Sequence, residues 1–292
     1  MIPDFQGFMA VDWSGAKGPR LPGLQAAWCR PGRPSPTLFL PPPGTTWSRH
    51  GIVNATLDAA KRHGPVLLGI DAAMAFPFVD RRAYFPGHPH SPPNVESLWR
   101  AVERESDNAD DFYAGSFGRA GKIFADYLNT PGHRGTHFDN QRGRLTEWKC
   151  RETWTRPSSV FNGVGAGSVG MGSLAAMRLA LTLRRRQNLR IAIWPFDPIA
   201  GADVVVVEIF PRLYVVRAEL DPRGWRDPGF LNRVFQHYNT RPIPDARRSE
   251  DETDALLSAA ALRTLALQPE TWTPPDMTRA AARYEGWIFG VV

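Results

Sequence analysis

The sequence predicts an α/β protein built on a mixed sheet, and three observations carry that expectation. Three short apolar runs each end in one carboxylate: Phe8-Met9-Ala10-Val11-Asp12, Val66-Leu67-Leu68-Gly69-Ile70-Asp71 and Val204-Val205-Val206-Val207-Glu208. Runs of β-branched and aliphatic residues of this length read as strands buried on both faces, inside a parallel or mixed sheet. The first run opens a β-β-β-α-β order. Two strong helical patterns occupy the second half of the chain.

Each element has its own justification. Residues 6–13 form the first strand, 23–30 the second and 37–40 the third, with Gly and Pro between them as antiparallel hairpins require. Residues 48–63 read as a helix, with Ser48 as its candidate cap and Ile52, Ala55, Leu57, Ala59 and Ala60 as apolar positions. The strand at 66–71 follows, placed to pair in parallel with the first strand across that helix. From 76 to 166 the chain turns rich in Pro, Gly, His and aromatics, with helical fragments only around 94–105 and 119–128. An insertion of this length in a compact fold acts as a lid, a binding surface or a subdomain. The core pattern resumes with a helix over 168–186 carrying Leu174, Met177, Leu179, Ala180 and Leu183. Strands at 190–194 and 203–210 follow, and a last helix covers 250–267. At 292 residues a single elaborated domain is expected.

Composition narrows the function classes. No apolar stretch is long enough to cross a bilayer, and the first residues show no basic leader with a hydrophobic segment, so a cytoplasmic protein without membrane association is expected. Cys29 and Cys150 are too few and too far apart for a disulfide framework or a cysteine metal site, and both read as buried thiols. The net charge of +6 rests on arginine, since only Lys17, Lys61, Lys122 and Lys149 among the 35 basic residues are lysine. Arginine suits a polyanionic partner such as nucleic acid. A GC-rich coding sequence gives the same bias without a functional cause. The arginine clusters are scattered, and none reads as a nucleic-acid tail.

The chemistry is expected at the carboxylates. Open α/β sheets place their sites at the carboxyl ends of strands. Asp12, Asp71 and Glu208 at three such ends would repel one another unless divalent cations lay between them. The last helix adds acids: Ser249 and Glu252 make a capping box, and Asp251 and Asp254 lie three residues apart. Acids in a first turn ordinarily complement the helix dipole. Asp254, however, shares a stripe with Leu257, Ala261 and Leu265 and is expected to face the sheet, with Asp251 as its deputy. Taken alone, Asp71 reads equally as a turn residue, and Glu208 equally as the partner of a nearby arginine such as Arg212.

Other motifs are less specific. Gly165-Ala166-Gly167-Ser168-Val169-Gly170 fits the dinucleotide fingerprint by letter, but no acid follows about 20 residues on, so a dinucleotide is not expected. Gly167 and Ser168 remain candidate phosphate contacts at a helix start, as does Lys17, five residues after Asp12. His88, His90, His133 and His137 lie in loops and read as solvated. Trp13 could stack on a base, though packing is the commoner duty.

The order of elements, with Asp12 ending the first strand, Asp71 the fourth, Glu208 on a later strand and Asp254 on the last helix, resembles the ribonuclease H-like superfamily. More narrowly, Val11-Asp12-Trp13-Ser14-Gly15, Gly69-Ile70-Asp71-Ala72-Ala73, Val207-Glu208-Ile209-Phe210-Pro211, Asp251-Glu252-Thr253-Asp254-Ala255-Leu256 and Tyr284-Glu285-Gly286-Trp287-Ile288-Phe289-Gly290 resemble the domain of unknown function 429 family, a nuclease branch of that superfamily. The resemblance spans nearly the whole chain. It implies a sheet of order 3-2-1-4-5 with strand 2 antiparallel, and a nuclease or phosphodiesterase that hydrolyses phosphodiesters with two Mg²⁺ or Mn²⁺ ions. Asp12 would bridge the ions, Asp71 and Asp254 would each complete one site, and Glu208 would supply a ligand or a contact behind the ligands. The strand acid Glu208 departs from the superfamily's usual set. Two alternatives stand beside this: a non-catalytic nucleic-acid or ligand-binding module on the same fold, and a phosphotransferase of the actin-like ATPase type. The second needs another phosphate loop, which the sequence lacks.

Overall fold

The computed structural model describes residues 1–18, 20–165 and 167–292. Ala166, at the end of the expected insertion and inside the glycine-rich segment, lies outside the described residues. The strands in chain order are β1 (Gly7–Asp12), β2 (Gln25–Cys29), β3 (Thr37–Leu38), β4 (Val66–Ile70), β5 (Asn129–Thr130), β6 (His133–Arg134), β7 (Ile191–Ile193) and β8 (Val204–Glu208). Six of them form a mixed sheet in the order β3-β2-β1-β4-β8-β7, while β5 and β6 make a separate hairpin. β2 runs antiparallel to both β1 and β3, and β4, β8 and β7 continue the sheet in parallel with β1. The 190–194 run, read as a strand from the sequence, pairs outside β8 as an edge, so the sheet has one strand more than the five-strand order that the resemblance implies.

Helices cover both faces. The alternation of a buried strand sends Met9, Val11, Leu68, Ile70, Val204 and Val206 into one apolar cluster and Phe8, Ala10, Leu67, Val205 and Val207 into another. The first cluster is completed by α1 (Arg49–His63), α2 (Val95–Glu105) and α4 (Gly170–Arg184). Between α2 and α4, α3 (Leu145–Thr153) leads into the second half of the chain. The second cluster is completed by α5 (Pro211–Arg217), α6 (Phe230–His237) and α7 (Glu250–Leu265), then by the short α8 (Pro269–Trp272) and α9 (Arg279–Tyr284).

The local signals act as chemistry requires. Ser48 Oγ accepts from Gly51 N at 3.0 Å and starts α1. At α7, Ser249 Oγ accepts from Glu252 N at 3.1 Å while Glu252 accepts from Ser249 N at 2.8 Å, a complete capping box. The expected helical fragment at 119–128 is instead a run of turns ending in one 3₁₀ turn over Ala125–Tyr127, since Gly121 takes φ +85° and interrupts it. The insertion is integral to the first face rather than a detached flap: Phe76, Tyr84, Phe85, Phe117, Phe124 and Phe161 are buried in the same cluster as α1 and α4.

Candidate active site

Strand register decides which acids meet. Val11 lies opposite Ile70, and Ile70 opposite Glu208. Asp12 and Asp71 each come one residue later, so they leave their neighbouring strands on the same side, the side of Ala10 and Leu67 that α7 covers. Glu208 has the parity of Val204 and Val206 and leaves on the opposite side. Gly69 makes the α7 side possible. A Cβ there would stand 2.6 Å from Leu262 Cδ1 on α7 and 2.6 Å from Ile209 Cγ2, so only glycine admits the helix this close to the strand that carries Asp71.

A cleft of about 780 Å³ opens over the carboxyl ends of β1, β4 and β8. Asp12, Asp71, Glu208 and Asp251 line it, and so do Lys17, Gly167 and Ser168. Asp254 does not. It is half-buried on α7, above the buried Leu257, Ala261 and Leu265, and lines an adjoining cavity of about 320 Å³ with Glu250. Arg212 borders both spaces.

The four aspartates form one electrostatic unit. Burial first, then the charges of Asp71, Asp254 and Asp251, hold the Asp12 carboxyl well above the usual carboxylate range. Burial, followed by Asp254 and Glu208, does the same to Asp71. Asp254 is pushed up to about 7 by burial, then by Glu250 and Asp251. Asp251 is also raised by burial, an effect opposed by its hydrogen bond with the Asp12 carboxyl. Among the described residues no Lys, Arg or His side chain pairs with any of the four. Such a cluster favours any process that brings positive charge to it. Among the described residues, however, no three His, Cys, Asp or Glu side chains stand together as a ready metal cage.

Glu208 has a different partner. Its two oxygens accept from Arg144 Nη2 at 2.5 Å and Nη1 at 2.7 Å, a buried bidentate pair. Arg144 also bonds Glu147 at 3.0 Å and the carbonyl of Glu285 at 3.1 Å. Burial opposes the guanidinium charge, but Glu208 and Glu147 outweigh it and hold Arg144 firmly protonated. The alternative of an arginine partner for Glu208 therefore describes the structure, with Arg144 in the place suggested for Arg212.

Two further clamps shape the cleft. Arg49, fully buried, donates to Ser14 O at 2.7 Å and Ala16 O at 2.6 Å, and to Asp111 O at 2.8 Å, fixing the loop after Asp12 to the insertion. Gly15 in that loop packs on the start of α4, where a Cβ would meet Gly172 N at 2.3 Å. Trp13 is a packing residue: it is buried and its Nε1 donates to Gly172 O at 3.2 Å. Glu285, also buried, accepts from Phe78 N, Val79 N and Leu145 N at 2.6, 2.7 and 2.8 Å, stapling the insertion and α3 to the C-terminal segment. In the glycine-rich segment Gly165 and Gly167 take positive φ and Gly170 opens α4, and among the described residues no strand leads into it as the dinucleotide site requires.

Arg49, Arg144 and Glu147 escaped the sequence reading because a lone arginine in a polar segment gives no sign that it will be buried. Glu285 stood inside a quoted motif without an assigned role. No family model matches the chain, no curated protein matches it, and no solved structure matches it.

Proposed function

We propose that this protein is a divalent-metal-dependent phosphodiesterase or nuclease on a ribonuclease H-like sheet, akin to the domain of unknown function 429 family. The observation that supports it most is the register of Asp12 and Asp71 on adjacent parallel strands, with Asp251 on α7 beside them, at the mouth of a cleft and, among the described residues, without a basic partner. The donor set fits a hard cation. It offers only carboxylate oxygens near the strand ends, and magnesium is commonly held by one or two carboxylates with retained waters and substrate phosphate rather than by an all-protein cage. Asp12 and Asp71 would hold Mg²⁺ or Mn²⁺, with Asp251 and Asp254 beside them on α7. The metal would supply an activated water and charge stabilisation at a phosphodiester.

The chain's own residues account for the rest. Lys17 and Ser168 border the cleft on the side of the β1 loop and the α4 start and can hold a phosphate oxygen. Glu208, charge-compensated by Arg144, acts as a support that keeps α3 and the C-terminal segment against the sheet end.

The same Arg144 pair, together with the lack of a ready three-residue cage among the described residues, favours a second reading in which the fold binds nucleic acid or another ligand without turnover. A cleavage assay on short single- and double-stranded DNA and RNA separates the two. We expect Mg²⁺- or Mn²⁺-dependent hydrolysis that falls by about a hundredfold or more in Asp12→Asn and in Asp71→Asn, with unchanged circular dichroism. Metal-independent binding without hydrolysis would leave the second reading in place.

A further inference from the structure

Beside the cleft lies a smaller recess of about 370 Å³, bordered by residues 140–143, by Arg151 and by the segment Arg156–Ser159. It adjoins the cleft, since Glu147, Arg156, Pro157 and Ser158 border both. Its charges do not balance. The one carboxylate on its wall, Glu147, is already held by Arg144 at 3.0 Å. Arg142, also on the wall, is engaged by Asp80 at 2.8 Å and by the carbonyls of Pro77, Ala83 and Tyr84. That leaves Arg151 and Arg156, neither of which pairs with a carboxylate among the described residues.

Arg151 gives the clearest signal. Its guanidinium lies over the Trp148 ring, with Cζ 4.4 Å from the centroid, a cation–π contact that helps hold it in place. Its Nε is buried and has no hydrogen-bond partner among the described residues. That Nε is closed off from the recess, so an anion there would be met by the terminal Nη groups of Arg151, which lines the wall. Arg156 is exposed, and among the described residues its one side-chain bond is to the amide oxygen of Gln141 at 2.8 Å, a neutral partner that an anion outcompetes.

We propose that this recess is a phosphate-binding subsite, with Arg151 and Arg156 as its ligands, that takes a phosphate group carried by the molecule in the neighbouring cleft. The link to a cleft-bound substrate rests on the phosphodiesterase reading above. The phosphate site itself does not. An oligonucleotide whose scissile phosphate lies at Asp12 and Asp71 would send its next or terminal phosphate past Ser158 into the recess.

The test uses the full chain in chelator, without divalent metal, so that binding is read independently of turnover. Inorganic phosphate is titrated by calorimetry into the wild type, Arg156→Gln and Arg151→Gln/Arg156→Gln. Saturable binding that weakens about tenfold or more in the double variant, and partly in the exposed single variant, is expected. Equal affinity in all three, or no saturable binding to the wild type, overturns the site. A trinucleotide with and without a 5′-phosphate is then compared. Tighter binding of the phosphorylated form, abolished by excess phosphate, supports the substrate-borne source. If free phosphate binds but the 5′-phosphate changes nothing, the recess stands as a site for free phosphate and its link to the cleft is overturned. Neither outcome depends on whether the protein cleaves anything.

Discussion

The two sides of the sheet's carboxyl edge carry the same chemistry to opposite ends. On one side Glu208 is buried, yet every demand it makes is met by Arg144, which in turn satisfies Glu147 and a backbone carbonyl. On the other side Asp12, Asp71, Asp251 and Asp254 gather at the foot of α7, where the charges that raise them are other carboxylates and, among the described residues, no basic side chain pairs with them. A buried carboxylate with a bidentate arginine is a structural member. Several that raise one another's pKa lower the stability of the bare fold and so point to a ligand. Acid content alone does not identify a site; what matters is whether the fold supplies the counter-charge.

The largest expected effect breaks the satisfied side. Arg144→Ala leaves Glu208 and Glu147 buried without compensation and is expected to destabilise the fold by about 3–5 kcal/mol, read as a lower denaturant midpoint. If the midpoint barely moves, the pair is not structural and Glu208 returns as a candidate ligand.

A smaller effect sharpens the unsatisfied side. The Asp254 carboxyl ionises at about 7 in the folded chain against an ordinary value of 3.8. Between these values the folded state holds a proton that the unfolded state has lost, so this group's contribution to stability falls as pH rises through that window. Asp12 and Asp71 are shifted in the same direction and add to the trend. In metal-free protein Asp254→Asn is therefore expected to raise Tm at pH 7.5, on the order of 2–4 °C, and to leave it nearly unchanged at pH 4.5. A variant that lowers Tm equally at both would show that Asp254 makes a favourable contact in the folded state.

Much of this edge was legible in the sequence. The three carboxylate-tipped runs became β1, β4 and β8, and the Ser249–Glu252 capping box placed the start of α7 at Glu250. What could not be read was register. A shift of one residue changes the face on which an acid emerges, and nothing in Val207-Glu208-Ile209 announces that Glu208 pairs across from Ile70 and not from Asp71. The counter-charges were equally hidden, since Arg144 lies 64 residues from Glu208 and Arg49 62 residues from Asp111. Asp254 was expected to face the sheet with Asp251 as its deputy. Asp251 lines the main cleft and Asp254 the neighbouring cavity, because Asp251 stands nearly one turn closer to the helix start, while the Asp254 charge still raises both Asp12 and Asp71. The short helices α3, α5 and α6 were missed because they last too few turns for periodicity to emerge.

Titration of Mn²⁺ by calorimetry at pH 7.5 into the wild type, Glu208→Gln and Asp71→Asn tests the central claim most directly. The account predicts saturable binding to the wild type, retained in Glu208→Gln and weakened about tenfold or more in Asp71→Asn, because the ion is held on the α7 side. No binding to the wild type, or binding that depends on Glu208 and not on Asp71, would contradict it.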